Sequence, residues 1–177
     1  MKIFIAGAKA IHRLDDEVIQ RLNSIFQKGY DVLVGDCDGV DSSVQKYYSD
    51  LHYTKVTVYA SNGIARNNIG HWNVKAIDVS PTLTGFDFYK QKDIAMAHDA
   101  DYGFMIWDGQ SKGTLNNIVN LLFADKKVLL YLATYKKMVS IKSFDDMDRL
   151  VGLCNQKVKS NYYLFTQQPL LLSTAPD

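Results

Sequence analysis

The sequence predicts an α/β fold with a doubly wound, mainly parallel sheet, three layers deep (α/β/α) with helices on both faces. Two observations carry this. Short, continuously apolar runs recur along the chain, as strands buried on both faces of a parallel sheet do. Between them lie segments whose apolar residues return at helical spacing. Composition agrees: of 177 residues, 47% are hydrophobic and 22% charged, and a chain of that length hides roughly 70% of its unfolded surface on folding.

Residues 2–8 form the first apolar run and open onto a glycine loop. Leu14, Val18, Leu22 and Ile25 then recur at helical spacing, with Asp15, Asp16 and Glu17 at the start and Lys28 and Gly29 at the end. Those charges match the helix dipole and Gly29 suits a C-cap. Residues 31–35 make a second strand, Val40 to Leu51 a second helix, and residues 55–60 a third strand. From 61 to 85 the pattern weakens, with only 74–79 reading as a short strand; irregular segments of that length are more often functional than decorative. A helix over 86–98, a strand over 102–107, a helix from Leu115 and a strand over 127–133 complete the alternation. Residues 138–141 suggest a further strand, and Ser143 to Asp146 a capping box opening a helix to about Leu153. The main body is thus expected over 1–133. Residues 134–177 form a short extension, with apolar YYLF and PLLLS segments, that packs on the body or on a partner subunit.

No apolar run approaches the ~18 residues of a membrane span, and the first run is too short for a signal-peptide core. Cys37 and Cys154 stand far apart without metal-ligand spacing, so a reducing cytoplasm is the expected setting. Lys plus Arg total 20 against 19 for Asp plus Glu, a net charge of +1. That balance speaks against nucleic acid as a partner. It leaves room for a local cationic pocket.

Ligands of open parallel sheets bind beyond the carboxyl ends of the strands. Four polar, glycine-bearing loops are expected there: AGAKAIHR, GDCDGVDS, SNGIARNN and DGQSKGT. Glycine lets backbone approach a ligand, and helix N-termini favour a phosphate. Gly7, Lys9, Gly35, Asp36 and Gly39 are the candidates from the first two loops. The segment from Trp107 to Thr114 is the most informative. Gly113 and Thr114 open a helix after a buried strand, so the hydroxyl and first-turn N–H groups can take a phosphate. Lys112 adds charge, Gly109 and Ser111 are further ligand-binding candidates in the same loop, and Trp107 can wall the pocket or stack on a base. The order fits neither a Walker A loop nor the dinucleotide fingerprint.

Taken together, AGAK, GDCDGVD and ADYGFMIWDGQSKGTLNNIVNLL resemble the Rossmann-like SLOG superfamily, which includes the Lonely Guy phosphoribohydrolases and DNA-processing protein A. The resemblance spans about residues 1–133 and is nearest to small stand-alone bacterial or phage members with a DGxSxGT loop. It implies a nucleotide or nucleotide-derived ligand and, as often in the superfamily, a homo-oligomer. Lonely Guy enzymes carry PGGxGTxxE, whose Glu acts on the ribose. Mapped from Gly113-Thr114, that position is Asn117 in this chain, an amide that can bond ribose hydroxyls but cannot serve as a carboxylate.

If the chain is an enzyme, a carboxylate from elsewhere must substitute. Asp41 and Asp108 are the catalytic candidates, against the alternatives that Asp41 caps a helix and Asp108 braces its loop. Asp108 is also a candidate for ribose. Arg66 can pair with phosphate, and His71-Trp72 can cover the cleft or meet the base. Cys37 lacks an adjacent base, which leaves it a weak nucleophile candidate. No motif requires a cofactor, and no metal ligand set is identified; the carboxylate spacing leaves a divalent metal open. The expected function is recognition of a nucleotide or derivative at the strand ends. A nucleoside 5′-monophosphate N-glycosidase is the first alternative and single-stranded DNA binding the second.

Overall fold

A computed structural model describes residues 1–167 of the chain. The elements follow in the order β1 (Lys2–Gly7), α1 (Asp16–Gln27), β2 (Asp31–Val34), α2 (Val40–Asp50), β3 (Val56–Ser61), β4 (Asn73–Ile77) and α3 (Gly85–Asp99). They continue with β5 (Tyr102–Trp107), α4 (Lys112–Phe123), β6 (Val128–Leu132), β7 (Lys137–Ile141), α5 (Phe144–Gly152) and α6 (Gln156–Gln167). The strands form one seven-stranded sheet in the order β4-β3-β2-β1-β5-β6-β7. All neighbours are parallel except β6 and β7, whose tight connection through a 3-10 turn at Ala133–Tyr135 reverses the chain.

Burial on both faces explains the apolar runs. Ile3, Ile5, Val32, Val34, Val58 and Ile106 pack with Val18, Leu22, Val44 and Tyr48 of α1 and α2. On the other face Phe4, Ala6, Leu33, Met105 and Trp107 meet Met96, Leu115, Ile118 and Val119 of α3 and α4. The result is a three-layer, Rossmann-like α/β/α fold. Outside α4 lies α6, whose Val158, Tyr162 and Phe165 are buried. The YYLF segment thus packs on the body; PLLLS lies outside the described residues. No described helix is long and apolar enough to cross a membrane.

Two local signals act as expected. Gly29 adopts φ +63° just beyond α1, and Ser143 caps α5 by accepting from the Asp146 N–H at 3.4 Å. The segment after β3 is more ordered than its composition suggests. Gln45 of α2 donates to the carbonyls of Gly35 (2.9 Å) and Asn67 (3.1 Å) and accepts from the N–H of Ile69 (2.9 Å). Asn68 brackets Trp72 with two further bonds. β4 then pairs with β3 as an edge strand.

The chain builds β1 to β4 outward in one direction and returns to place β5 on the other side of β1. Loops leaving β1 and β5 therefore diverge to opposite faces and leave a crevice between them, the usual ligand position in such sheets.

Candidate functional site

A cavity of about 370 Å³ occupies this crevice. It brings together Gly7, Lys9, Asp41, Ser111, Gly113, Thr114 and Asn117 from the expected set. Its other wall is one face of α3, carrying Phe86, Tyr89, Lys90 and Asp93 at helical spacing.

The α4 end is the part open to a ligand. Asp108 Oδ1 accepts the N–H groups of Gln110 (2.9 Å) and Ser111 (2.7 Å), folding the loop as an Asx-turn. The Trp107 indole donates to the Ser111 carbonyl at 3.0 Å. Ser111 caps α4, its Oγ accepting from the N–H (3.4 Å) and the hydroxyl (3.1 Å) of Thr114. The N–H groups of Lys112 and Gly113 have no partner among the described residues. In front of Gly113 there is open space: a β-carbon there would meet nothing within 4 Å. Two orphan donors at a helix N-terminus suit an anionic oxygen, and Gly113 is on the cavity wall. Lys9 and Lys90 line the same cavity.

The α2 end is closed by the chain itself. Gly39 at its N-cap takes φ +77°, and a β-carbon there would collide with the Lys9 carbonyl oxygen. Val40 donates to the Ala8 carbonyl at 3.3 Å. A β-carbon on Gly7 would collide with the Ile106 carbonyl and stand 2.6 Å from Val40 Cγ2. Close approach is what these glycines permit, but between β1, β5 and α2.

Beneath the cavity lies a buried charge cluster. Lys92 is 2% exposed and its Nζ lies 2.6 Å from Asp93 Oδ1 and 3.9 Å from Asp36 Oδ1. Burial alone would lower the Lys92 pKa, but the Asp93 and Asp41 carboxylates outweigh it and hold the ammonium charged. Asp36 accepts from the Arg66 backbone N–H (3.0 Å), Nε (3.0 Å) and a terminal guanidinium nitrogen (2.7 Å). Burial pushes Asp36 up, Arg66 pulls it down, and the net shift is downward. Asp41 is 5% exposed and its one side-chain hydrogen bond among the described residues, from the Cys37 N–H, is long at 3.3 Å. Burial raises its pKa to about 7, with Lys92 opposing. Burial, with the Asp41 carboxylate, also pushes the Cys37 thiol up, so it is held as a neutral thiol.

Asn117 bridges the two walls. With its amide oriented toward its acceptors, the nitrogen donates to the Gly113 carbonyl and to Asp93 Oδ2, both at 3.3 Å. The Asn117 amide thus stands beside a carboxylate from α3.

Several expected residues lie elsewhere. Trp107 is fully buried and offers no ring face to a base. Arg66 is committed to Asp36 and stacks 4.3 Å over the Tyr89 ring, so its guanidinium is not free for phosphate. Lys112 points over Phe86 at 4.3 Å and does not line the cavity. Asp108 folds its loop through Oδ1 and does not line the cavity, Gly109 forms that turn at φ +79°, and Gly35 lies under Asp41. His71 and Trp72 line a separate hollow with His52 and Tyr53, where β3 and β4 begin, and cover no part of the cleft. The α3 wall and Lys92 are the additions. Their one sequence signal is that α3 mixes apolar and charged residues around its circumference, unlike α1, as a helix touching both a core and a polar site must.

No family model matches the sequence, and no curated protein matches it. Among solved structures, the chain is similar to DNA processing protein A from Helicobacter pylori, described for its unique single-stranded DNA binding mode. The TM-score is 0.60 at 11% identity, over 94% of this chain and 80% of that one. The likeness is one of fold. It corrects the expectation that near-zero net charge speaks against nucleic acid: the shared fold includes a protein that binds single-stranded DNA, so overall charge does not decide the matter.

Proposed function

We propose that the chain binds a nucleotide or nucleotide-derived small molecule in the crevice between β1 and β5, as a sensor or binding protein of the small stand-alone SLOG type. The observation that carries this is the start of α4, where the Lys112 and Gly113 N–H groups have no partner among the described residues and Gly113 lines a cavity of about 370 Å³. That volume lies within the range of small-molecule sites. A phosphate seated there would gain two backbone donors, the helix dipole and the charge of Lys9, while Lys90 on the same cavity is paired with Asp87 at 2.6 Å. Tyr89 and Phe86 on the α3 wall supply apolar surface for a base. Asp41, Asp93 and Asn117 on the floor supply acceptors for hydroxyl groups.

Single-stranded DNA binding is the second reading, favoured by the fold shared with DNA processing protein A. Titration separates the two. A panel of nucleoside mono-, di- and triphosphates and an unstructured oligodeoxynucleotide would be tested by calorimetry at two salt concentrations. The first reading expects saturable 1:1 binding of one nucleotide with shallow salt dependence. Tight oligonucleotide binding that falls steeply with salt, with no affinity for any mononucleotide, would replace it with the second. Free base accumulating in the same incubations would instead identify a hydrolase, with Asp93 beside Asn117 as the carboxylate to mutate.

A further inference from the structure

α6 covers a flank of α4 that is not built for permanent burial. Asn116 and Asn120 follow Lys112 at successive four-residue steps, and Phe123 continues the stripe. Lys112 meets the Phe165 ring of α6 at 5.7 Å, and Phe123 meets Phe144 of α5 at 5.0 Å. The stripe therefore faces the C-terminal helices. Asn116 and Asn120 are each 6% exposed, and the side-chain nitrogen of each is buried without a hydrogen-bond partner among the described residues. Opposite them α6 offers Val158, Tyr162 and Phe165, of which only the Tyr162 hydroxyl is polar, and it donates to Asp148 of α5 at 2.6 Å. Two amide nitrogens thus lose water and gain no acceptor among the described residues, a state that buried polar groups seldom keep.

α6 also reaches the cleft. Phe165 stacks on Phe86 with ring centroids 5.9 Å apart, and Phe86 lines the cavity at the first turn of α3. We propose that α6 is a releasable arm, undocking from α4 as a unit while the sheet stays folded, and that its release loosens the Phe86 end of the cleft wall. Undocking returns both amide nitrogens to water, so release costs less than the apolar surface of α6 alone would demand. The fulcrum is the turn at Leu153 to Asn155, and the grip is Phe165 against Phe86. This holds whichever ligand the cleft takes.

Hydrogen exchange of the full chain, without ligand, tests it. α6 amides should exchange at least about tenfold faster than those of β1 and β5. Replacing both amides by side chains of similar size, Asn116→Leu with Asn120→Leu, should slow α6 exchange by about tenfold or more. Each single substitution should act in the same direction. Phe165→Ala should speed exchange in α6 and in the first turn of α3 and leave β1 and β5 unchanged. The proposal is overturned if α6 exchanges in step with β1 and β5 in the unaltered chain, or if the leucine variants leave α6 exchange unchanged or faster. It is equally overturned if Phe165→Ala accelerates the whole sheet together or leaves the first turn of α3 unaffected.

Discussion

Gly35 lies directly against Asp41: a β-carbon at position 35 would collide with Asp41 Oδ2 and stand 2.9 Å from Nζ of Lys92. The glycine makes room for a buried charge cluster. Gly35→Ala should therefore destabilise the chain by about 1–3 kcal/mol, as overpacking does, and urea unfolding would read the loss. A variant as stable as the parent would mean that the cluster yields freely.

The cluster holds Lys92 and Arg66 against Asp36, Asp41 and Asp93, so its charge balances only when one carboxylate is protonated. Asp41, with a pKa near 7, is that group. The sign follows from linkage. Its folded pKa lies above its unfolded value, so this contribution is fully present below about pH 4 and is lost as pH rises toward 7. Asp41→Asn should remove this slope. The stability of the variant relative to the parent should rise by as much as about 4 kcal/mol between pH 4 and pH 8. Parallel stability curves across that range would contradict the assignment.

Lys92→Met probes the same cluster from the cationic side. It leaves Asp93 and Asp41 without their shared ammonium, and breaking one partner of a buried ion pair costs about 3–5 kcal/mol. The cost should be greatest near pH 8 and shrink toward pH 5, where the stranded carboxyls take up protons. Chemical unfolding at the two pH values reads the difference, and an equal loss at both would show that the carboxylates are solvated.

The strands were legible because burial on both faces leaves little choice of residue: Lys2–Gly7, Tyr102–Trp107 and Val128–Leu132 read as strands from composition alone. The α4 end of the site was legible for a similar reason, since Ser111, Gly113 and Thr114 carry the local chemistry of a helix start. Lys92 was not, because a lysine in a helix looks solvated until the chain around it is known. Glycines posed a different problem. Gly7, Gly35 and Gly39 signal close approach, but whether a ligand or the chain's own backbone approaches is a tertiary fact. The same holds for Arg66, whose fork fits the carboxylate of Asp36 as well as it would fit a phosphate.

Gly113 differs from the other three in facing open space, and this makes it the direct probe of the proposed function. Gly113→Ala meets no protein atom and removes a helix glycine, so stability should hold or rise by up to about 1 kcal/mol. The added methyl group would stand where the phosphate must approach the Lys112 and Gly113 N–H groups. Calorimetric titration of parent and variant with the tightest-binding nucleotide should show affinity falling at least about tenfold, a loss of about 1.4 kcal/mol, with thermal stability intact. Unchanged nucleotide affinity in a fully folded Gly113→Ala would contradict a phosphate seat at the start of α4.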